Sequence, residues 1–242
     1  MKQIQLSIRL FTNMKWLAGI VSISCFLFIV ACQPQENNCE EIPSVSVEED
    51  SLQNTPASNI HLIQDYEALS ANGLVNVVIE IPSGTNEKWE VSKEDGQLQQ
   101  DEEDGKPRVI SYLSYPGNYG FVPSTLLNKA DGGDGDPLDV LVLGPAIEQG
   151  TVAECKLIGV LKLLDNGEQD DKLIGVSEHT AFYHLQSIEE LDNEFKGVSL
   201  IIETWFTNYK GPGEMESLGF SGSEEAQNIL DKAIASYSSQ NN

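Results

Sequence analysis

Basic residues are scarce in this sequence. Fourteen lysines and arginines stand against 38 aspartates and glutamates in 242 residues, a formal net charge of −24. A surface this acidic repels polyanions, so nucleic-acid binding is not expected unless metal ions bridge the two molecules. For the same reason, an anionic small molecule would need accompanying cations to bind.

Cysteine and histidine are also few, at four and three residues. The histidines are scattered and no Cys/His pair has the spacing of a metal site, so zinc chemistry is not expected. Cys25 and Cys32 fall near the N-terminus, which leaves Cys39 and Cys155. A disulfide between these two is open but not favoured, because Cys155 lies in an apolar strand pattern typical of a buried, inert thiol.

Only one long apolar run is present, at residues 17–30. Lys2, Arg9 and Lys15 precede it, and no acidic residue occurs before Glu36, as in a signal peptide. The run is short for a membrane span and ends in I-V-A-C, which looks like a bacterial lipobox ending at Cys32. We therefore expect cleavage before Cys32 and lipidation of Cys32. The protein would then be held at a membrane of the cell envelope, outside the cytoplasm; an uncleaved anchor is the alternative.

Composition divides the rest of the chain in two. Residues 32–59 would comprise the lipidated cysteine and a flexible tether, because Gln, Asn, Glu, Ser and Pro dominate there and cannot build a core. Residues 60–242 are long enough for one domain with a substantial core. Removal of the signal peptide, residues 1–31, takes away three of the fourteen basic residues and no acidic one. This leaves 11 basic against 38 acidic side chains, net −27.

Strand patterns dominate the first part of the domain. Residues 76–81 and 88–91 alternate and are predicted to pair as a hairpin, and the acidic stretch 97–105 is predicted to form a protruding hairpin tip. Residues 151–164 and 173–176 read as further strands. Helix signals come later: a capping box at 187–190, an apolar face at Ile202, Trp205, Phe206 and Tyr209, and a last helix capped at 221–224.

Four aspartates fall within nine residues, at Asp131, Asp134, Asp136 and Asp139. Glycines separate them and allow backbone conformations in which the carboxylates converge. The apolar residues 140–143 follow at once and predict a buried strand. Grouped carboxylates repel one another unless a cation lies among them, and their hard oxygen atoms suit Mg2+ or Ca2+. An acidic surface loop is the alternative.

The stretch D-G-D-P-L-D-V, residues 134–140, resembles the signature of family I soluble inorganic pyrophosphatases. Other motifs of that family follow in order over about residues 74–210. They are I-E-I-P and K-x-E (79–82, 88–90), Y-P-x-N-Y-G (115–120), D-x4-D-x-K (165–172) and Y-K (209–210). One departure concerns Arg108, which lies seven residues before the first tyrosine of its motif, not the usual eight, and follows a longer loop.

The resemblance implies a role for each matching residue. Asp136 would accept a proton from the attacking water, and the metal ligands would be Asp134, Asp139, Asp165 and Asp170. Phosphate oxygens would be bound by Lys88, Arg108, Tyr119, Tyr209 and Lys210, with support from Glu80, Glu90 and Lys172. For Tyr209, simple packing against Trp205 is an alternative. Asn166 stands where many relatives carry an acid, so an outer metal there is expected to bind more weakly.

By the same resemblance the chain would be an inorganic diphosphatase that hydrolyses diphosphate to two phosphates with two or more Mg2+ ions. The implied fold is mainly β within the α+β class: a small five-stranded, OB-like closed barrel flanked by helices. A non-catalytic Ca2+-binding surface lipoprotein is one alternative, although an EF-hand loop begun at Asp134 has Leu138 and Asp139 at its fifth and sixth positions, which do not fit. A phosphatase of another phosphoanhydride on the same scaffold is the other. Association into a homo-oligomer is left open.

Overall fold

A computed structural model describes residues 60–240 of the chain. The predicted signal peptide, Cys32, Cys39 and the tether up to residue 59 lie outside these residues. Within residues 60–240, no helix combines the length and the apolar character needed to cross a membrane.

The described part is mainly β, with few helices. Its strands are β1 (Val75–Ile81), β2 (Trp89–Val91), β3 (Leu98–Gln100), β4 (Glu102–Glu103), β5 (Lys106–Pro107), β6 (Asn118–Val122), β7 (Leu138–Leu143), β8 (Val152–Asp165), β9 (Glu168–Gln169), β10 (Lys172–Ser177) and β11 (Met215–Gly222). Its helices are α1 (Ile188–Glu194), α2 (Val198–Asn208) and α3 (Ser223–Gln240), with a 3-10 helix at Lys129–Asp131.

Five strands pair in a circuit. Antiparallel pairing joins β1 to β6 and β6 to β7, and β7 then pairs in parallel with β10. Antiparallel pairing continues from β10 to β8, and β8 returns to β1. The long strand β8 also carries β11 and the short β9 at its far end. Each strand of the circuit therefore has both edges hydrogen-bonded.

Burial explains why these strands form where the sequence predicts them. In β7 every residue is buried except Asp139, so the apolar side chains anchor the strand and leave one carboxylate accessible. The predicted strands at 76–81, 151–164 and 173–176 are confirmed to within one or two residues by β1, β8 and β10. Cys155 is confirmed as a buried free thiol, and burial raises its pKa to about 12.

The predicted hairpin between residues 76–81 and 88–91 is wrong. Strand β2 pairs with β3, with Trp89 opposite Gln100 and Val91 opposite Leu98. Because β6 and β8 occupy both edges of β1, no edge of β1 remains for β2. The hairpin predicted for the acidic stretch is confirmed by β4 and β5, joined at Asp104 and Gly105, whose positive φ angles suit a tight two-residue turn.

The helices cover the core as their apolar patterns predict. Ser187 caps α1 by accepting a hydrogen bond from Glu190 N at 3.2 Å. Helix α2 buries Ile202, Trp205 and Phe206. Helix α3 buries the aliphatic positions Ala226, Ile229, Leu230 and Ala233. Strand β11, which runs directly into α3, was not predicted from the sequence because its residues alternate weakly.

Candidate active site

The parallel register of β7 and β10 places Lys172 beside Asp139. Leu173 lies opposite Val140, so the preceding residues of the two strands are neighbours. Lys172 Nζ is 2.5 Å from Asp139 Oδ2 and 2.5 Å from Asp170 Oδ1, and its side chain is 3% exposed. Burial alone would lower the pKa of Lys172, but the two carboxylates raise it above its ordinary value. A protonated lysine thus binds two of the predicted metal ligands together.

A cleft of about 150 Å3 opens next to this group. It is lined by Glu80, Lys88, Glu90, Val91, Lys93, Tyr119, Phe121, Asp134, Asp136, Pro137 and Asp139. The antiparallel register of β6 and β7, in which Phe121 lies opposite Asp139, brings Tyr119 into the same wall. Seven of the residues singled out from sequence therefore share one cleft, although they come from four separate motifs.

Negative charge in the cleft is incompletely compensated. Glu80 is buried, and burial raises its pKa to about 8 although Lys88 acts to lower it. Its Oε1 accepts a hydrogen bond from Val91 N at 2.7 Å. Burial also raises the pKa of Asp134, and the neighbouring charge of Asp139 adds to that effect.

Lysines neutralise part of this charge. Lys88 Nζ lies 2.9 Å from Glu90 Oε1 and 5.6 Å from the centre of the Tyr119 ring. Lys93 Nζ contacts the Asp136 carboxylate and also donates to Gly135 O at 3.4 Å. Lys93 was not among the predicted site residues; its signal was its position in the turn that follows the K-x-E motif.

The remaining predicted residues lie in two further ion pairs. Lys210 Nζ is 2.5 Å from Asp165 Oδ2, so a predicted phosphate ligand is bound to a predicted metal ligand. Arg108 Nη1 is 2.9 Å from Asp101 Oδ2, a partner that was not predicted from the sequence. Across the described part of the chain, no three carboxylate, imidazole or thiolate groups lie together as a ready-formed metal site.

The longer loop before Arg108 has a structural explanation. The β4–β5 hairpin occupies the extra loop, and Arg108 N donates to Asp101 O at 2.7 Å across its base. Lys88 N in turn donates to Arg108 O at 3.0 Å. The added residues therefore project away from the strands, and Arg108 remains beside the backbone of Lys88.

Tyr209 belongs to an aromatic cluster. Its ring stacks on Trp205 with centroids 4.6 Å apart and an angle of 8°. Tyr115 contacts the same tryptophan at 4.4 Å and Tyr119 at 5.3 Å, which links the cluster to the cleft. Trp205 Nε1 donates to Leu113 O at 2.7 Å. The packing contact considered for Tyr209 is present, and its role in phosphate binding stays a prediction.

Two residues of the Y-P-x-N-Y-G motif have structural roles. Asn118 is fully buried; its Oδ1 accepts from Ser83 N at 3.0 Å and Ile147 N at 2.7 Å, and its amide donates to Pro145 O at 2.9 Å. A β-carbon on Gly120 would lie 1.9 Å from Val78 O, so only glycine permits this approach of β6 to β1. Asn118 and Gly120 thus fix the strand that presents Tyr119.

Known proteins share both this sequence and this fold. A family model described as inorganic pyrophosphatase matches residues 77–238. An inorganic pyrophosphatase of Geobacillus stearothermophilus is 37% identical over 176 residues, which cover 70% of this chain and 97% of that protein. An inorganic pyrophosphatase of Kluyveromyces lactis is 36% identical over 188 residues, which cover 72% of this chain and 65% of that longer protein.

Solved structures agree with the sequence comparison. The structure of an inorganic pyrophosphatase from Helicobacter pylori superposes with a TM-score of 0.60 at 36% identity, covering 68% of this chain and 94% of that one. The family model spans most of the described residues, including every motif on which the resemblance was based. The chain therefore belongs to the inorganic pyrophosphatase family.

Proposed function

We propose that this chain hydrolyses inorganic diphosphate to two phosphate ions in a Mg2+-dependent reaction. The observation that carries the proposal is the cleft in which carboxylates from β1, β2 and β7 face lysines and Tyr119, bounded by the Asp139–Lys172–Asp170 group. Carboxylates suit divalent cations, whereas lysine and tyrosine suit phosphate oxygens. A metal–diphosphate complex needs both kinds of group in one place.

The residues present fit a hard divalent cation. Five carboxylates line the cleft against two lysines, and the raised pKa values of Glu80 and Asp134 reflect first burial and then neighbouring negative charge. Asp134, Asp139 and Asp170 would hold Mg2+, with Asp165 contributing to an outer position. Bound Mg2+ supplies positive charge that offsets that of diphosphate and makes an attacking water more acidic.

The chain's own residues then divide the remaining work. By the family resemblance Asp136 accepts the proton of the attacking water, and its carboxylate lines the cleft together with Asp134 and Asp139. Lys88 and Tyr119 lie in the cleft and bind phosphate oxygens. By the family resemblance Arg108, Tyr209 and Lys210 do the same, and together these residues stabilise charge on the leaving phosphate.

One ion pair would exchange its partner when substrate binds, and the others would be kept. Lys210 pairs with Asp165 in the free protein. On binding substrate Lys210 would turn to a phosphate oxygen, and Asp165 would then be available to hold Mg2+. Lys172 keeps Asp139 and Asp170 close together, while Glu80 and Glu90 hold Val91 N and Lys88. The many charges therefore form a site whose parts are paired before the substrate enters.

The lining of the cleft bears on the alternatives, because its lysines and Tyr119 suit phosphate oxygens. The Ca2+-binding alternative leaves the phosphate-binding lysines and Tyr119 without a use.

Two features of the wider molecule belong to the same proposal. The circuit of β1, β6, β7, β10 and β8 supports a small closed barrel of the OB-like kind, with the site at one end. The apolar segment and the I-V-A-C sequence support export and a lipid anchor at Cys32, in the cell envelope outside the cytoplasm.

The test is release of phosphate from diphosphate by the soluble domain, residues 60–242. We expect turnover with Mg2+, none in EDTA, and little with Ca2+ or with ATP as the substrate. Full activity in metal-free buffer, or equal rates on ATP, would reject the proposal.

A further inference from the structure

The strand ladder opens at one of the predicted metal ligands. Strand β9 pairs with β8 through Gln169 and Leu164, and β10 pairs with β8 from Lys172 and Leu161 onward. The two residues between these pairings, Asp170 and Asp171, belong to neither strand. Asp170 therefore lies at a break in the ladder, where regular backbone pairing fixes its position only in part.

Asp171 fills this gap with its side chain. Asp170 N donates to Leu163 O at 2.9 Å, as in a paired position. The return hydrogen bond of an antiparallel pair would run from Leu163 N to the carbonyl of Asp170. Leu163 N donates instead to Asp171 Oδ1 at 3.1 Å. A carboxylate thus takes the place of a backbone acceptor.

The same carboxylate has two further donors. Gln169 Nε2 lies 2.6 Å and Lys162 Nζ 2.5 Å from Asp171 Oδ2, and the Asp171 side chain is 4% exposed. A buried carboxylate is stable only when it is paired and hydrogen-bonded, and here all its donors come from the two strands beside it. Asp171 therefore joins β8 to the turn that leads into β10.

Asp171 is separated from the cleft by the alternation of the chain. Its neighbours Asp170 and Lys172 contact each other at 2.5 Å, and Lys172 reaches Asp139. Asp171 points to the other side, where Lys162 lies 3.9 Å from Glu225 of α3. Asp171 touches none of the cleft residues named above, so any effect on them is indirect.

We propose that Asp171, paired with Lys162, is a positioning residue for the site, and this inference rests on the proposed function. By closing the ladder at Leu163 it holds Asp170 and Lys172 at the spacing that places Asp170 beside Asp139. Lys162 keeps the Asp171 charge from adding to the carboxylates of the cleft. Neither residue contacts substrate or metal.

The test compares Asp171→Ala with Asp171→Asn in the full-length protein. Asparagine keeps a side-chain oxygen that accepts from Leu163 N, and alanine does not. Calorimetry with Mg2+ alone measures metal affinity without any turnover. We expect the Mg2+ dissociation constant to rise by about 10- to 100-fold in Asp171→Ala, the usual effect of losing a partner behind a metal ligand, and by less in Asp171→Asn.

Glu225→Gln is the matched control, because it changes the distant, half-exposed partner of Lys162 and leaves the bonds of Asp171 intact. Its Mg2+ affinity should equal that of the wild type. The Mg2+ concentration that gives half-maximal phosphate release should follow the calorimetric order of the four proteins.

Two results would overturn the inference. One is a lower melting temperature for Asp171→Ala with wild-type Mg2+ affinity, since that marks a purely structural role. The other is an equal loss of affinity in the alanine and asparagine variants, since the hydrogen bond to Leu163 would then be irrelevant. If the wild type binds Mg2+ but releases no phosphate, the proposed function fails, and calorimetry still decides the role of Asp171.

Discussion

Every lysine predicted for the site is paired with a carboxylate: Lys88 with Glu90, Lys210 with Asp165, and Lys172 with Asp139 and Asp170. These pairs let a strongly acidic chain bring its carboxylates together before a cation or substrate arrives. At the scale of single residues, the role of each charged side chain can be tested by a substitution that removes its charge and keeps its shape.

Asp136→Asn removes the proposed proton acceptor and keeps its size. We expect kcat to fall by roughly two to four orders of magnitude, the usual contribution of a general base, with KM for Mg–diphosphate preserved. A higher pH should partly restore the rate, because a larger fraction of the attacking water, which Mg2+ makes more acidic, is then already deprotonated. Steady-state kinetics from pH 6 to 10 would show this.

Arg108→Lys is the comparison for that experiment. It keeps the positive charge but loses the planar guanidinium group, so KM should rise and kcat should fall. A higher pH should restore neither. The same pH response in both variants would mean that Asp136 is not the base.

Lys172→Met leaves Asp139 and Asp170 without the cation that lies 2.5 Å from each. Loss of one partner of a buried ion pair typically costs about 3 to 5 kcal/mol of unfolding free energy. The variant should therefore unfold at a lower denaturant concentration in EDTA. Mg2+ should recover part of the loss by pairing with the freed carboxylates. Denaturation in EDTA and in Mg2+, beside Lys196→Met, measures both effects; an unchanged stability in EDTA would contradict the prediction.

Glu80 predicts a pH dependence of stability in metal-free buffer. Its pKa is raised from 4.5 to about 8, chiefly by burial, so the folded state holds a proton that the unfolded state releases above about pH 4.5. The stabilisation from this group is full below that pH and is lost as the pH rises through about 8. Glu80→Gln cannot ionise, so its unfolding free energy should decline less between pH 5 and 8. Parallel profiles for the two proteins would show that Glu80 is not the source.

At the scale of elements, register decides which motifs meet. Asp139 and Lys172 are neighbours because β7 and β10 are parallel and in step, and Tyr119 joins them through the β6–β7 register. Alternation along each strand, which the sequence displays, predicted which side chains share a face. The pairing of distant strands depended on contacts that no local pattern contains.

Gly120→Ala tests the β1–β6 contact. The new β-carbon would lie 1.9 Å from Val78 O, a backbone atom that cannot move without disturbing the pairing of both strands. We expect a loss of unfolding free energy of about 3 kcal/mol or more, above the usual range for overpacking. Gly222→Ala is the control, because nothing lies within 4 Å of the position that its new β-carbon would take. Equal melting temperatures for the two variants would contradict the prediction.

At the scale of the whole molecule, the chain combines a catalytic domain with an N-terminal segment that predicts attachment to a membrane. Cys32→Ser removes the thiol to which the predicted lipid would be attached. The protein should leave the membrane fraction or remain unprocessed, while phosphate release per mole of domain stays at the wild-type value. Fractionation and activity are measured on the same preparation. A variant still fully membrane-bound after processing would show that another element anchors it.

The sequence by itself determined the family, most strands and the identity of the charged residues, because alternation, turn residues and the spacing of motifs are local properties. It failed at the β1–β2 hairpin, since occupation of both edges of β1 depends on β6 and β8, which lie far along the chain. It also could not pair Arg108 with Asp101 or Lys93 with Asp136. Only the tertiary structure decided these contacts and the burial that raises the pKa of Glu80. The burial of a side chain and the charged groups around it are set when strands that are distant in sequence pack together. A local stretch of sequence therefore does not predict them.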